Sequence, residues 1–239
     1  MALFEARELS AGYDLPSGEG AAPASLNRLS FSLEAGAIYD LTGPSGAGKS
    51  MLLRACALMM ERHSGELLLE GKPSCDFAPQ QWRSRVALVP QKAALIPGTV
   101  QENLRLPWTL KTNSRRKPPS NRELSDLLKR AALDVPLDRD CARLSGGQAA
   151  RVALLRTFAT RPQVLLLDEV DAALDDESAD AVGDLVAAAV ADGAACLRIR
   201  HRASDGRASV TFTLAGGRLQ AFENPRPRPE HGAALEGAL

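Results

Sequence analysis

The run Gly43-Pro44-Ser45-Gly46-Ala47-Gly48-Lys49-Ser50 constrains this chain more tightly than any other feature of its sequence. It matches G-x-x-x-x-G-K-[ST] at every fixed position, and its context is the one the pattern needs: a strand-like run at 38–42 leads in and a helical pattern leads out from Lys49. Glycines let the backbone curl so that successive N–H groups point inward at phosphate oxygens. A helix start adds free amide donors and the positive end of its dipole. Lys49 is then placed to meet the β- and γ-phosphates of a nucleotide as a point charge, and Ser50 to offer its hydroxyl to Mg²⁺. The bland alternative, a Gly-rich turn with a chance lysine, fits the flanking strand and helix poorly.

Strand-like runs recur at 4–9, 29–33, 38–42, 66–70, 86–89, 164–167, 196–199 and 210–214. Helical patterns stand between them at 49–60, 123–132, 147–159 and 178–191. Strands alternating with helices predict an α/β core with a largely parallel sheet. Residues 93–143 break the rhythm, reading as helix and loop without a convincing strand, and are expected to form an inserted helical subdomain. The core would then comprise 1–92 and 144–223, with 224–239, where proline alternates with charge before an Ala/Gly-rich end, as a mobile tail. Within the insertion, the basic run Arg115-Arg116-Lys117-Pro118-Pro119 reads as a solvated loop or as a contact for lipid headgroups.

Composition narrows the class of machine. The 239 residues are enough for one large domain with a proper core, and 45% apolar with 24% charged residues excludes a collagen-like or wholly disordered chain. Lysine plus arginine equals aspartate plus glutamate at 29 each, so no global field points to nucleic acid. Cys56, Cys75, Cys141 and Cys196 are scattered without metal-ligand spacing and read as idle thiols of a reducing compartment. No apolar stretch approaches the ~20 residues that span a bilayer. The first ten residues carry Glu5, Arg7 and Glu8 and lack an apolar signal core, so a soluble, cytoplasmic chain is expected.

The second chemical signal is Val164-Leu165-Leu166-Leu167-Asp168-Glu169, an apolar run that reads as a buried central strand and ends abruptly in two carboxylates. Acids at the end of such a strand face the ligand crevice of an open α/β sheet. Asp168 is the expected Mg²⁺ holder and Glu169 the expected general base for an attacking water.

Leu144-Ser145-Gly146-Gly147-Gln148, standing ahead of that strand, resembles the signature of the ABC ATPase superfamily. Such a resemblance implies a RecA-like P-loop NTPase core with an antiparallel β subdomain and an inserted helical subdomain, ATP and Mg²⁺ as cofactors, and ATP hydrolysis. Physically the run is a second anion site: Ser145 and the amides of Gly146 and Gly147 at a helix start grip a γ-phosphate, with Gln148 beside them. With one cradle already at 43–50, a second grip implies a second copy of the chain, each nucleotide lying between the cradle of one and the signature of the other. The resemblance further identifies Tyr13 with the aromatic that stacks on adenine, Gln91 with the glutamine that senses Mg²⁺ and the helical subdomain, Asp175 with the acid coupling the two sites, and His201 with the switch histidine.

Three positions depart from the family pattern. Met51 stands where a small hydroxyl residue is usual, leaving only its backbone N–H for phosphate. His201 sits in Arg198-Ile199-Arg200-His201-Arg202, without the usual threonine before it or aspartate after it. Asp40 stands in the strand feeding the cradle, and the sequence supplies no partner for it. The chain's length and the run from Val89 through Pro97-Gly98-Thr99 to Leu104, with Pro107-Trp108 close behind, are similar to ATPase subunits of iron or metal exporters. That similarity implies an integral membrane permease as partner and a position on the inner face of the membrane. Trp108 is then either an anchor for the permease or packing within the subdomain. Two other readings stay open: a soluble non-transport ABC ATPase, and an ATP-dependent conformational module with little hydrolysis.

Overall fold

The computed structural model describes residues 2–12, 25–92, 94–172, 174–200 and 202–224. Tyr13, His201 and residues 225–239, on which three of the expectations above fall, lie outside them.

Two sheets organise the chain. Strands β1 (Ala2–Gly12), β2 (Ser25–Glu34), β4 (Ser64–Leu69) and β5 (Lys72–Pro73) form an antiparallel sheet in the order β2-β1-β4-β5. Strands β3 (Ile38–Thr42), β6 (Val86–Val89), β7 (Val164–Asp168), β8 (Ala195–Ile199), β9 (Val210–Ala215) and β10 (Arg218–Glu223) form the second, in the order β10-β9-β3-β8-β7-β6. This sheet is parallel from β9 to β6, and β10 closes it as an antiparallel hairpin with β9.

Side-chain alternation along these strands divides the core into two layers. Val164 and Leu166 of β7, with Leu197 and Ile199 of β8, join Phe4, Leu33, Leu52 and Trp82 between the two sheets. Leu165, Leu167 and Cys196 face the other way, into a layer shared with the helices α3 (Val100–Arg105), α4 (Asn121–Arg130), α5 (Gly146–Phe158) and α6 (Asp176–Ala191). All five residues of β7 and of β8 are buried, which is why both read as near-continuous apolar runs. Trp82, in α2 (Pro79–Arg85), is fully buried against Phe4 and Phe77, and its indole N–H donates to Cys56 O at 2.8 Å.

Helix α1 (Lys49–Cys56) is shorter than the pattern at 49–60 predicts. Leu58 takes φ 55°, with Leu58 N–H on Ala55 O and Met59 N–H on Arg54 O, so a left-handed cap closes the helix without the glycine that usually marks one. Ala132 (φ 49°) closes α4 in the same way. The short helices α2 and α3 and the strands β5 and β10 carry too little periodicity to be read from sequence. In β10 the residues are mostly exposed, so no apolar alternation betrays it.

Between 94 and 143 the described residues hold α3, α4 and short 3₁₀ turns, with one isolated bridge, Thr99 to Asp140. Asn103, fully buried, ties this region together by donating to Ile96 O and Thr99 O and accepting from Ile96 N–H. Trp108 is half-buried there, its indole N–H enclosed without a hydrogen-bond partner among the described residues. The four cysteines are free, and burial pushes the Cys56 and Cys196 thiols up to about 12. Among the described residues no helix is long and apolar enough to cross a membrane.

Candidate nucleotide site

Three carboxyl ends of the parallel sheet contribute to one crevice: the loop after β3, Gln91 beyond β6, and Asp168 and Glu169 at the end of β7. The loop after β3 is shaped by its glycines. Gly43 has φ 140°, and a Cβ there would stand 2.1 Å from Leu214 O, so the chain passes β9 too closely for any side chain. Gly48, at φ 95°, caps α1 in the left-handed region and turns the first helical amides toward the loop.

Within that loop Lys49 is buried, and its Nζ donates to Gly43 O at 2.8 Å and Pro44 O at 3.1 Å. The ammonium therefore sits on the inner side of its own cradle, held by carbonyls, where an anion in the loop would meet it. Ser45 and Gly46 form the exposed rim, and Ala47 N–H bonds back to Pro44 O. Ser50 Oγ donates to Asp168 Oδ1 at 3.0 Å. Met51 turns the other way and is 5% exposed within the core, so its side chain serves packing.

Burial pushes the Asp168 carboxyl up and the neighbouring Glu169 adds to this, while the Ser50 hydrogen bond, Arg54 and Lys49 act against the shift. A hydroxyl and a carboxylate within hydrogen-bond distance at a crevice form an oxygen donor pair suited to a hard divalent cation, so the residues present fit Mg²⁺.

Glu169 is half-buried and takes φ 53°, a left-handed conformation that costs a non-glycine residue about 1–3 kcal/mol. Its backbone N–H donates to Ile199 O at 3.1 Å, and Gln91 Nε2 donates to its Oε2 at 2.8 Å. The structure thus brings Lys49, Ser50, Asp168, Glu169 and Gln91 to one place.

Ser145, Gly146, Gly147 and Gln148 form the start of α5. Ser145 caps it by accepting from Gln148 N–H, and Gln148 Oε1 accepts from Ser145 N–H in return. Among the described residues no hydrogen bond or ion pair links 145–148 to the loop at 43–51. Asp175 caps α6, accepting from Ser178 N–H at 2.7 Å, a bond that draws its carboxyl below the usual range.

Asp40, unexplained by sequence, faces Arg198 in the parallel register of β3 and β8, and Arg198 Nε donates to its Oδ1 at 2.6 Å. Arg198 also forks onto Asp205, Nη1 to Oδ2 at 3.0 Å and Nη2 to Oδ1 at 2.6 Å. Arg200 Nε donates to Asp171 Oδ2 at 2.8 Å, and Arg200 Nη1 lies 2.9 Å from Asp205 Oδ2, a charge contact without hydrogen-bond alignment. Sequence reasoning missed this cluster. The available signal was one charge of each sign, Asp40 and Arg198, in two otherwise apolar strands feeding the same crevice.

Burial alone would raise the Asp205 carboxyl, but the hydrogen bonds and charge of Arg198, with the Arg207 N–H and Arg200 charge, hold it far below the usual range. Because its folded-state value lies below the unfolded value of about 3.9, this contribution is complete above that pH and is lost as pH falls toward the folded value. Asp205→Asn takes the charged fork from Arg198, which keeps Asp40, while Arg200 keeps Asp171, and should lower the unfolding free energy by about 1.5–3 kcal/mol at pH 7. In urea titrations the gap from the unsubstituted chain should hold from neutral pH down to about 4 and narrow below it.

The chain matches the family described as ABC transporter over residues 26–172. It is 39% identical over 162 residues, 67% of this chain and 70% of the relative, to the probable iron export ATP-binding protein FetA of Escherichia coli. It is 36% identical over 219 residues, 87% of this chain and 74% of the relative, to the hemin import ATP-binding protein HmuV of Nocardia farcinica. The solved structure of an ATP-binding subunit of an ABC transporter superposes with a TM-score of 0.80 at 25% identity, covering 92% of this chain and 90% of that one.

Proposed function

Since the chain belongs to the ABC transporter family as an ATP-binding, ATP-hydrolysing subunit, we propose that it works as a head-to-tail pair of identical copies that closes over two nucleotides and drives a separate integral membrane permease. The observation that carries this reading is the separation of the two phosphate grips. The 43–51 loop gathers Lys49 and Ser50 in one turn, whereas among the described residues the Ser145–Gln148 helix start has no hydrogen bond or ion pair to that loop. A γ-phosphate held by one copy's loop would complete the signature of the other.

In this reading Lys49 leaves the Gly43 and Pro44 carbonyls for the β- and γ-phosphates. Ser50, Asp168 and Gln91 would hold Mg²⁺, which supplies charge neutralisation on the phosphate oxygens when bound. Glu169, released from Gln91, accepts a proton from the attacking water as general base. Tyr13 is assigned to the adenine and His201 to the γ-phosphate by family resemblance. ATP favours the closed pair because only that state gives each signature a phosphate; cleavage removes the differential contact and the pair reopens. The region 93–143, joined to the site through Gln91, transmits closure to the permease.

The similarity to FetA supports export of iron or another metal as the cargo process. In this reading the cargo is handled by the permease, and the chain sits peripherally on the inner face of the membrane.

Light scattering on Glu169→Gln, with and without Mg-ATP, tests the closure. A shift from monomer to dimer only with Mg-ATP is expected. A chain that stays monomeric with saturating Mg-ATP, or that dimerises equally without it, would overturn the two-site clamp.

A further inference from the structure

Glu169 holds a backbone conformation that a non-glycine residue keeps only where its surroundings over-determine it. Its own N–H bond to Ile199 O fixes one side. On the other, two residues along, Asp171 is clamped by Arg200, the residue that follows Ile199. The Glu169 turn and the end of β8 are therefore joined twice, by one backbone bond and one ion pair.

That ion pair is the last link of a buried chain. Asp40 on β3, Arg198 on β8, Asp205, Arg200 and Asp171 follow one another at 2.6 to 2.9 Å, with side chains only 5% to 11% exposed. Arg207 braces Asp205 at 3.2 Å and ties it to Asp184 of α6 at 2.7 Å. The chain starts on the strand that feeds the phosphate loop and ends beside the strained glutamate. Stability alone does not call for such a network, because well-packed apolar residues often serve a core as well as buried ion pairs do. What apolar packing does not supply is a directional contact: Arg198 forks onto Asp205, and Arg200 reaches Asp171 through a charge-assisted Nε bond.

We propose that Arg200 and Asp171 are positioning residues for ATP hydrolysis: their ion pair locks the end of β8 to the turn after β7 and so keeps Glu169 in its left-handed conformation beside Gln91. Asp40, Arg198 and Asp205 register this lock against β3, so that the carboxylate keeps a constant place relative to the Lys49 cradle. The inference rests on Glu169 acting as the general base. Among the described residues neither has a hydrogen bond or ion pair to the loop at 43–51, so the lock acts on the chemical step and leaves ATP capture alone.

Steady-state ATP hydrolysis by the full chain tests it, using Arg200→Gln, Asp171→Asn, the double variant and Arg200→Lys, with Glu169→Gln alongside. Loss of the lock should lower kcat about tenfold or more in each single variant, since small displacements of a reacting group are costly, with half-saturating ATP unchanged. The double variant should be no slower than the slower single, because both act through one contact. Where a neutral single variant fails to fold, Arg200→Lys decides: it keeps the charge but loses the Nε contact, and the same fall in kcat at unchanged half-saturation is expected. The proposal is overturned if kcat stays within about twofold of the unsubstituted chain, if half-saturating ATP rises in step with the loss, or if the two single effects multiply. Turnover lost in Glu169→Gln but retained in Arg200→Gln and Arg200→Lys removes the lock alone. Turnover retained in Glu169→Gln removes the base assignment and the lock with it.

Discussion

Replacing Glu169 by glutamine should lower the rate of ATP hydrolysis about 10²- to 10⁴-fold, the usual worth of a general base, while ATP binding persists. The expectation follows from where the carboxylate stands. It follows Asp168 at the end of a fully buried strand, its backbone is held in the left-handed region, and the neutral amide of Gln91 donates to its Oε2 at 2.8 Å. Glutamine keeps the size and the contact to Gln91 but cannot accept the proton. Phosphate release measured against a fluorescent nucleotide-binding titration separates the two effects. A variant that hydrolyses ATP within about threefold of the unsubstituted chain would show that the attacking water is activated elsewhere.

Replacing Gly146 by aspartate should abolish turnover to a comparable degree, about 10²-fold or more, by an entirely different route. A Cβ at Gly146 meets nothing within 4 Å, and the residue is exposed at the first position of α5. An acid there even suits the positive end of the helix, worth about 0.3–1 kcal/mol to the isolated chain. The substitution therefore leaves the fold and the Lys49 cradle intact, and places a negative charge where the partner's γ-phosphate would be gripped. Unchanged melting and unchanged ATP affinity, combined with lost hydrolysis and lost ATP-dependent dimerisation, are the expected pattern. If hydrolysis survives in Gly146→Asp, the signature is not a phosphate grip and the two-copy arrangement loses its physical basis.

These two substitutions probe motifs that lie contiguous in the chain, and contiguity is why they were legible. The phosphate loop is written in glycines whose backbone angles, such as φ 140° at Gly43 and 95° at Gly48, are local properties. The strand at 164–168 announces itself because both its faces are buried, and the α5 start through the contiguous run Leu144-Ser145-Gly146-Gly147-Gln148, whose resemblance to a family signature needs no distant residue. Other features escaped the sequence for equally physical reasons. Helices α1 and α4 end early at Leu58 and Ala132, residues that carry no glycine signal for the left-handed cap they adopt. Strand β10 is mostly exposed and so leaves no alternation.

What the sequence determined by itself is the chemistry on offer: a lysine and a hydroxyl in a glycine-rich loop before a helix, paired acids at the end of an apolar strand, and a Ser-Gly-Gly run at a helix start. What only the tertiary structure decided is how those groups are held. Asp40 and Arg198 lie 158 residues apart, and only the parallel register of β3 and β8 makes them partners. Glu169 takes a conformation its own residue type disfavours, sustained by contacts with Ile199 and, through Asp171, with Arg200. Backbone angles and helix caps are set by neighbours along the chain. The pairing of buried charges is set by which strands lie side by side, and no local pattern contains that.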